Sequence, residues 1–183
     1  MKIGILPIGR ADTVILMRIR KNLARVFPDA TCLVIDEKLP LRKEAFGEKR
    51  KQYHSKAILS EIQGYAAKKT DLNRVLGVVD ADIFVPELNF VFGEAVCPGK
   101  AALISLWRLK PEFYGDAPNI ELFSARALKE AVHELGHTLG LRHCSHSSCV
   151  MHFSNSIFDT DIKQSIFCKH CYLHAKISIN KLG

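Results

Sequence analysis

Apolar runs alternate with amphipathic stretches over the first half of the chain. The opening run KIGILPI, which contains Pro7, predicts a buried strand, and residues 11–27 then carry apolar side chains at helical spacing. TCLVID predicts a second strand, the stretch from about 50–69 a second helix, and RVLGVVDADIF a third strand. Strands that alternate with helices predict an α/β fold with a twisted, mostly parallel sheet.

The pattern becomes β-rich after Pro86. NFVFGEAV and AALISLWRL are two apolar runs joined by the Pro-Gly turn CPGK, so one of them is predicted to be an antiparallel edge strand. Residues 141–166 are irregular and rich in cysteine and histidine, and a last helix is predicted over about 167–179. The chain is therefore expected to end in a small lobe beside the sheet.

The helix ARALKEAVHELGHTL precedes this lobe. Ser124 is its candidate N-cap, and Gly140 is placed to end it in the left-handed conformation that glycine tolerates. Its apolar stripe consists of Leu128, Val132, Leu135 and Leu139. His133 and His137 fall nearly opposite this stripe on a helical projection, so we expect both histidines to lie outside the core.

These two histidines are i and i+4, so both imidazoles can reach one metal ion. A match of this length also occurs in ordinary solvated helices, but here the string continues through Gly140, where the chain can turn, to His143. Three histidines leave one position of a tetrahedral zinc open, as in a catalytic site. Glu134 points to a different side of the helix, which suits a general base acting on the water at that position.

Four of the six cysteines cluster in the last quarter of the chain: Cys144, Cys149, Cys168 and Cys171. Four thiolates from a short pair and a C-x-x-C are typical of a closed structural zinc site. A redox C-x-x-C and two disulfides are the alternatives, although the strand context of the first is missing and a reducing compartment disfavours the second. We expect two zinc ions per chain, one catalytic and one structural.

The lobe at 141–183 has few aliphatic residues, so metal coordination is expected to contribute much of its folding free energy. Cys144 adjoins His143 in the sequence. The structural zinc is therefore expected to order the third ligand of the catalytic zinc.

The histidine string resembles the extended zinc signature of the metzincins, which continues to a methionine in a tight turn under the metal. With Cys144, Cys149 and the C-x-x-C that starts at Cys168, the stretch 131–171 is similar to the archaemetzincins in particular. The resemblance implies a metzincin-like fold, zinc peptidase activity on a peptide substrate, and Met151 as the turn methionine.

The resemblance also implies that an antiparallel edge strand holds the substrate in extended form. NFVFGEAV would supply that strand, with candidate contacts at Phe90, Val91, Phe92, Gly93, Glu94, Ala95 and Val96. The resemblance does not distinguish cleavage inside a peptide chain from removal of N-terminal residues.

Composition sets the remaining expectations. The 183 residues suit a single catalytic domain with subdomains 1–140 and 141–183, and 48% hydrophobic and 25% charged residues are ordinary for a globular protein. The N-terminal apolar run is too short for a signal peptide, and no stretch is long enough for a membrane span. We therefore expect a cytoplasmic protein, and we expect it to be a monomer. The first predicted strand begins almost at Met1, which argues against latency by a cleaved N-terminal segment.

The net charge of +7 leaves open a nucleic-acid-binding module with an idle histidine site. One dense basic group is typical of a solvated helix face and consists of Arg42, Lys43, Lys49, Arg50 and Lys51. Charge does not explain Glu134 beside His133, so nucleic acid is not the expected partner. A zinc hydrolase of non-peptide amides or esters is a second alternative, with the same residues and a different pocket.

Overall fold

Eight strands form two sheets in the computed structural model, which describes residues 1–182. In chain order they are β1 (Lys2–Ile8), β2 (Thr31–Val34), β3 (Phe46–Gly47), β4 (Gln52–His54), β5 (Arg74–Val79), β6 (Ile83–Phe84), β7 (Gly93–Ala95) and β8 (Ala101–Ser105). The larger sheet has the order β2-β1-β5-β8-β7, and the smaller has the order β3-β4-β6. Only β7 is antiparallel within the larger sheet, where it pairs with β8 at the edge. The predicted mostly parallel sheet with an antiparallel edge strand is confirmed.

Five α-helices complete the described part of the chain: α1 (Thr13–Val26), α2 (Ser55–Lys68), α3 (Ile120–Thr138), α4 (Ile157–Ile162) and α5 (Lys169–Asn180). Short 3-10 helices lie at Lys43–Ala45, Trp107–Leu109 and Pro111–Tyr114. Helices α1 and α3 pack on one face of the larger sheet, and α2 packs on the other. No helix within residues 1–182 has the length and apolar character that crossing a membrane requires.

Alternate residues of the central strands enter two separate cores. On β8, Ala102 and Ile104 join the core beneath α1 and α3, whereas Leu103 joins the core beneath α2. Since side chains alternate across a strand, both faces of this sheet must be apolar, which is why its strands are continuous apolar runs. Each fully buried leucine or isoleucine contributes roughly 1.5–3 kcal/mol to folding.

Two predicted strands are divided in the structure. RVLGVVDADIF forms β5 and β6, because Asp80 leaves the sheet and its carboxylate binds Lys110 Nζ at 2.7 Å. Within NFVFGEAV only β7 pairs with β8, since Val91 N–H donates instead to Ile83 O at 3.1 Å. The predicted second helix also starts later, at Ser55, because the residues before it pair as β4.

Helix α3 is capped by Asn119 and not by Ser124, so that prediction was wrong. Asn119 Oδ1 accepts a hydrogen bond from Leu122 N at 3.0 Å, and the helix begins at Ile120. Ser124 lies inside the helix, where its hydroxyl donates to Ile120 O at 2.6 Å. The helix therefore has a first turn that the apolar period did not reveal. At the other end Gly140 has φ 89°, which confirms the left-handed termination.

The dense basic group does not lie on a helix face, so that prediction was also wrong. Lys43 is in a 3-10 helix, and residues 48–51 form a turn between β3 and β4. Arg50 Nη2 donates to Leu88 O at 2.8 Å, and its guanidinium lies 4.2 Å from the centre of the Phe84 ring. Arg50 thus supports the segment that leads to β7.

The segment after α3 packs into the core of the larger sheet. Val150, Met151 and Ile157 are buried beneath α1 and α3, and so are Cys171 and Ala175. Its few apolar side chains therefore fix the lobe to α3 without a separate core.

A buried ion pair joins α3 to the residue after α4. Lys163 Nζ lies 2.9 Å from Glu130 Oε1, and the two side chains are 0% and 4% exposed. Thr160 Oγ1 donates to the same carboxylate oxygen at 3.0 Å. When one partner of a buried ion pair is removed, the charge of the other partner stays buried without compensation.

Lys163→Met should lower the free energy of unfolding by about 3–5 kcal/mol, because Glu130 would stay buried without its cation. Lys51→Met is the matched control, since the ion pair of Lys51 with Glu48 is 73% and 77% exposed and such pairs contribute little. Urea titration of the wild type and both variants measures the difference. If the free energy of unfolding falls by the same small amount in both variants, the buried ion pair is not important for stability.

Candidate metal centre and cleft

Three histidine rings converge at the C-terminal end of α3. His133 and His137 are one helical turn apart, and their Nε2 atoms are 3.1 Å from each other. The turn at Gly140 returns the chain, so that the His143 ring centre lies 5.3 Å from that of His133 and 4.9 Å from that of His137. One nitrogen from each ring lies within 4.8 Å of the others.

The backbone after the helix orients two of these rings. His133 Nδ1 lies 2.7 Å from Val150 O, and His137 Nδ1 lies 2.8 Å from Leu141 O. Because a carbonyl oxygen only accepts hydrogen bonds, each Nδ1 carries the proton and each Nε2 presents a lone pair. Two lone pairs at 3.1 Å repel unless a cation lies between them.

The donor set fits zinc. Two ligands at 2.0–2.1 Å on a tetrahedral ion are about 3.3 Å apart, which is close to the observed 3.1 Å between the Nε2 atoms of His133 and His137. Metal-binding histidines usually donate their other ring N–H to a carbonyl or carboxylate, as His133 and His137 do here.

All three rings are held neutral, the form in which imidazole binds a metal. Burial lowers the pKa of His133 well below its usual value, and the positive charge of Lys163 acts in the same direction. Burial also lowers the pKa of His137. For His143, burial and then the nearby His137 lower the pKa to about 4.

The histidine helix is more buried than its projection suggested. His133 is only 5% exposed, although it lies off the apolar stripe, and His137 is half-buried. Two neighbouring elements cover the polar side of α3, namely β7 and the turn around Met151. The projection places a residue relative to its own helix but carries no information on these neighbours.

Glu134 lies at the point where α3 meets β7. It is 5% exposed, and a Cβ added to Gly93 would lie 2.6 Å from its Oε1 and 2.7 Å from Leu103 O. Burial raises the pKa of Glu134 well above its usual value; the charge of Glu130 adds to this and that of Lys163 opposes it. Only a glycine at position 93 lets the edge strand approach the helix this closely.

Met151 lies on the other side of α3, fully buried. A Cβ added to Gly136 would lie 2.4 Å from Met151 Sδ, so the glycine of the histidine motif makes room for this methionine. Met151 O accepts a hydrogen bond from Cys144 N at 2.9 Å. The methionine is thus linked to the residue that follows His143.

An open cleft of about 280 Å³ runs between the edge strand and the three histidines. Six of the seven predicted edge-strand contacts line it, from Phe90 to Ala95, whereas Val96 does not. The sequence did not reveal the other lining residues: Leu88, Cys97, Glu130, Phe153 and Ser154.

Of the lining residues that the sequence analysis missed, only one could have been found from the local sequence pattern. Glu130 is one helical turn before Glu134 and could have been found by helical spacing. Phe153 lies with its ring centre 4.8 Å from that of His143. Nothing in the sequence near Phe153 indicates that contact.

The four clustered cysteines also come together. Their sulfur atoms lie within 4.8 Å of one another, and Cys144 Sγ is 3.9 Å from Cys168 Sγ. The hydrogen bond from the Cys171 backbone is the main cause that lowers the pKa of Cys168 to about 7, whereas burial raises that of Cys171. All six cysteines of the chain, including Cys32 and Cys97, are free thiols in the structure. The arrangement fits a tetrahedral metal site.

The other histidines of the lobe have minor roles. His152 Nδ1 lies 3.0 Å from Cys144 O, so this side chain braces the turn. His146, His170 and His174 are exposed and line an open hollow, to which His143, Cys144 and Cys171 also contribute.

Comparison with known proteins identifies the family. The sequence model of Peptidase family M54 matches residues 12–177. The archaemetzincin of Methanocaldococcus jannaschii is 46% identical over 171 residues, which cover 93% of this chain and 90% of that protein. The chain belongs to Peptidase family M54. The resemblance to the archaemetzincins is therefore confirmed, and with it a zinc metallopeptidase, a hydrolase whose substrates are peptides or proteins.

Two solved structures of the family have the same fold. The archaemetzincin of Methanopyrus kandleri is 34% identical, with a TM-score of 0.86 over 98% of this chain and 96% of that chain. The archaemetzincin of Archaeoglobus fulgidus, solved as a complex with malonate, is 36% identical, with a TM-score of 0.82 over 95% and 99%. The metzincin-like fold expected from the sequence is confirmed by this similarity.

Gly93→Ala should reduce peptide hydrolysis on the order of 100-fold, since the new methyl group would displace the Glu134 carboxylate by roughly 1 Å. Zinc content should stay unchanged, because the three histidines do not touch Gly93. Gly64→Ala is the control, since a Cβ there meets nothing within 4 Å. The measurements are kcat/KM and metal analysis. Full activity of Gly93→Ala would show that peptide hydrolysis does not depend on the close approach of β7 to Glu134.

Proposed function

We propose that the chain is a single catalytic domain that hydrolyses peptide bonds at the cleft beside the three histidines. The observation that carries the proposal is the convergence of three neutral imidazoles next to a buried glutamate, which itself faces an edge strand. His133, His137 and His143 would hold the catalytic zinc. A hydrolase of non-peptide amides or esters would use the same groups, but membership of a peptidase family favours peptides.

Glu134 is proposed as the general base. Zinc, when bound, supplies a Lewis acid that polarises the scissile carbonyl and acidifies water. Glu134 accepts the proton of the attacking water and then passes it to the leaving amine. Its place between α3 and Gly93 keeps the carboxylate at the floor of the cleft, within reach of the bond to be cleaved.

The substrate is proposed to bind as an extra strand along β7. This strand is short and forms the edge of the larger sheet, so one of its sides has no strand partner among residues 1–182. An extended peptide can pair with such an edge through backbone hydrogen bonds. Gly93 brings that edge next to Glu134, which aligns the bound backbone with the proposed base.

A second zinc is proposed at the four cysteines Cys144, Cys149, Cys168 and Cys171, which brings the total to two per chain. Cys144 follows His143 directly, and Cys144 N donates to Met151 O at 2.9 Å. A metal at the cysteines would therefore hold the turn that presents the third histidine. This supports the expectation that the structural site orders the catalytic one.

The cleft and both metal clusters are complete within one chain, which supports a monomer. Four free thiols gathered for a metal suit a reducing compartment, which supports a cytoplasmic location.

Glu134→Ala should retain about two zinc ions per chain and lose peptide hydrolysis, because the general base is removed and the ligands remain. Glu112→Ala, which removes an exposed glutamate, should behave like the wild type. Metal analysis and a screen against a peptide library measure both properties. One metal per chain in the wild type, or equal hydrolysis by Glu134→Ala, would refute the mechanism. Cleavage of peptides with free or acetylated N-termini then distinguishes an aminopeptidase from an endopeptidase.

Cys168→Ser should weaken both zinc sites. The cysteine site loses a thiolate, and the catalytic site loses the support of the turn that carries His143. Competition with a chelator should therefore remove zinc from the histidines at a lower chelator concentration than in the wild type. Cys32→Ser is the control, because Cys32 lies outside both clusters. Unchanged affinity at the histidines would disprove the coupling between the two sites.

A further inference from the structure

Glu94 contributes to the lining of the cleft, while its side chain points to the face of the sheet opposite the histidines. It pairs with Leu103 on β8, whose side chain enters the core beneath α2. Its neighbour Gly93 pairs with Ile104, whose side chain enters the core beneath α3. Side chains alternate along a strand, so Gly93 faces Glu134 and Glu94 faces the N-terminus of α2.

The Glu94 carboxylate is held in this position by the first residue of α2. Ser55, the first residue of α2, is fully buried, and its hydroxyl lies 2.5 Å from Glu94 Oε2 and 3.0 Å from Phe84 O. The N-terminus of a helix also favours a negative charge. Across residues 1–182 no lysine, arginine or histidine side chain forms an ion pair with Glu94. One carboxylate oxygen therefore remains for a ligand.

The cleft is lined by acidic side chains and by no lysine or arginine, although the protein as a whole is basic. The protein carries a net charge of +7, yet three glutamates and no lysine or arginine line the cleft. Glu130 is neutralised by Lys163 at 2.9 Å, and Glu134 is the proposed general base. Glu94 is thus the carboxylate in the cleft that has neither a cation nor a proposed chemical task.

The pairing of β7 determines which part of a bound peptide meets Glu94. Val96 N donates to Ala101 O at 3.0 Å, so by the alternation of the ladder the backbone of Glu94 also faces β8. The backbone groups of Gly93 and Ala95 then face the free edge, where an extended peptide would pair. The substrate residue opposite Glu94 would direct its side chain to the same face as the carboxylate.

We propose that Glu94 is a specificity-determining residue. It selects substrates that have a lysine or arginine opposite Glu94, next to the substrate residue that lies opposite Gly93. This inference rests on the proposed peptidase function and on binding along β7. The cation would donate to the free oxygen of Glu94, while Ser55 holds the other oxygen in place.

The test is a positional scan of C-amidated, internally quenched octapeptides, each made with a free and with an acetylated N-terminus, in which lysine, arginine, glutamine or glutamate occupies each position around the scissile bond. The wild type should cleave the lysine or arginine peptide about tenfold faster in kcat/KM than the glutamine peptide at one position only. In Glu94→Gln this ratio should fall to about 1. In Glu94→Lys the glutamate peptide should be cleaved faster than the lysine or arginine peptide at the same position. Glu112→Gln, which removes an exposed charge outside the cleft, should keep the wild-type ratio.

A reversed preference cannot result from partial misfolding, so the Glu94→Lys arm separates recognition from a structural effect. If the wild type hydrolyses peptides without preferring lysine or arginine, or if that preference survives in Glu94→Gln, the role of Glu94 is overturned. The peptidase proposal would stay intact in both cases. A preference confined to peptides with a free N-terminus would overturn the side-chain assignment in favour of the α-amine. If the wild type cleaves none of the peptides, the proposed function fails and this inference with it.

Discussion

Burial of α3 on almost every side is the condition on which the metal centre depends. A buried imidazole needs a partner for each polar ring nitrogen, and His133 and His137 give their Nδ1 protons to the carbonyls of Val150 and Leu141. Their Nε2 atoms then face each other at 3.1 Å, where a metal ion relieves the repulsion of the lone pairs. The backbone after the helix thus orients the side chains on it, so the isolated helix would not form this site.

Two glycines allow this burial. Gly93 lets the edge strand reach Glu134, and Gly136 leaves room for Met151 on the other side of the helix. A methyl group at Gly93 would meet the Glu134 side chain and Leu103 O at under 3.0 Å, and one at Gly136 would meet Met151 Sδ, so these neighbours would have to move. Close packing of backbone against side chain therefore sets the distance between the histidines and the cleft wall.

Charge in and around the cleft is compensated locally. Lys163 neutralises Glu130 and also helps to lower the pKa of His133, while burial keeps the pKa of Glu134 high. Glu94 has only the hydroxyl of Ser55 as its partner. Glu94 thus differs from Glu130, which is paired with a cation, and from Glu134, whose pKa is raised by burial.

The sequence by itself determined the candidate ligands, since the spacing of His133 and His137 and the turn at Gly140 are local properties of one helix and its end. Apolar runs likewise predicted the parallel sheet, because its strands are buried on both faces. Only the tertiary structure decided that β7 is short and that Glu94 meets Ser55 at the start of α2. Those features depend on contacts between residues distant in the chain, which neither periodicity nor motif spacing encodes.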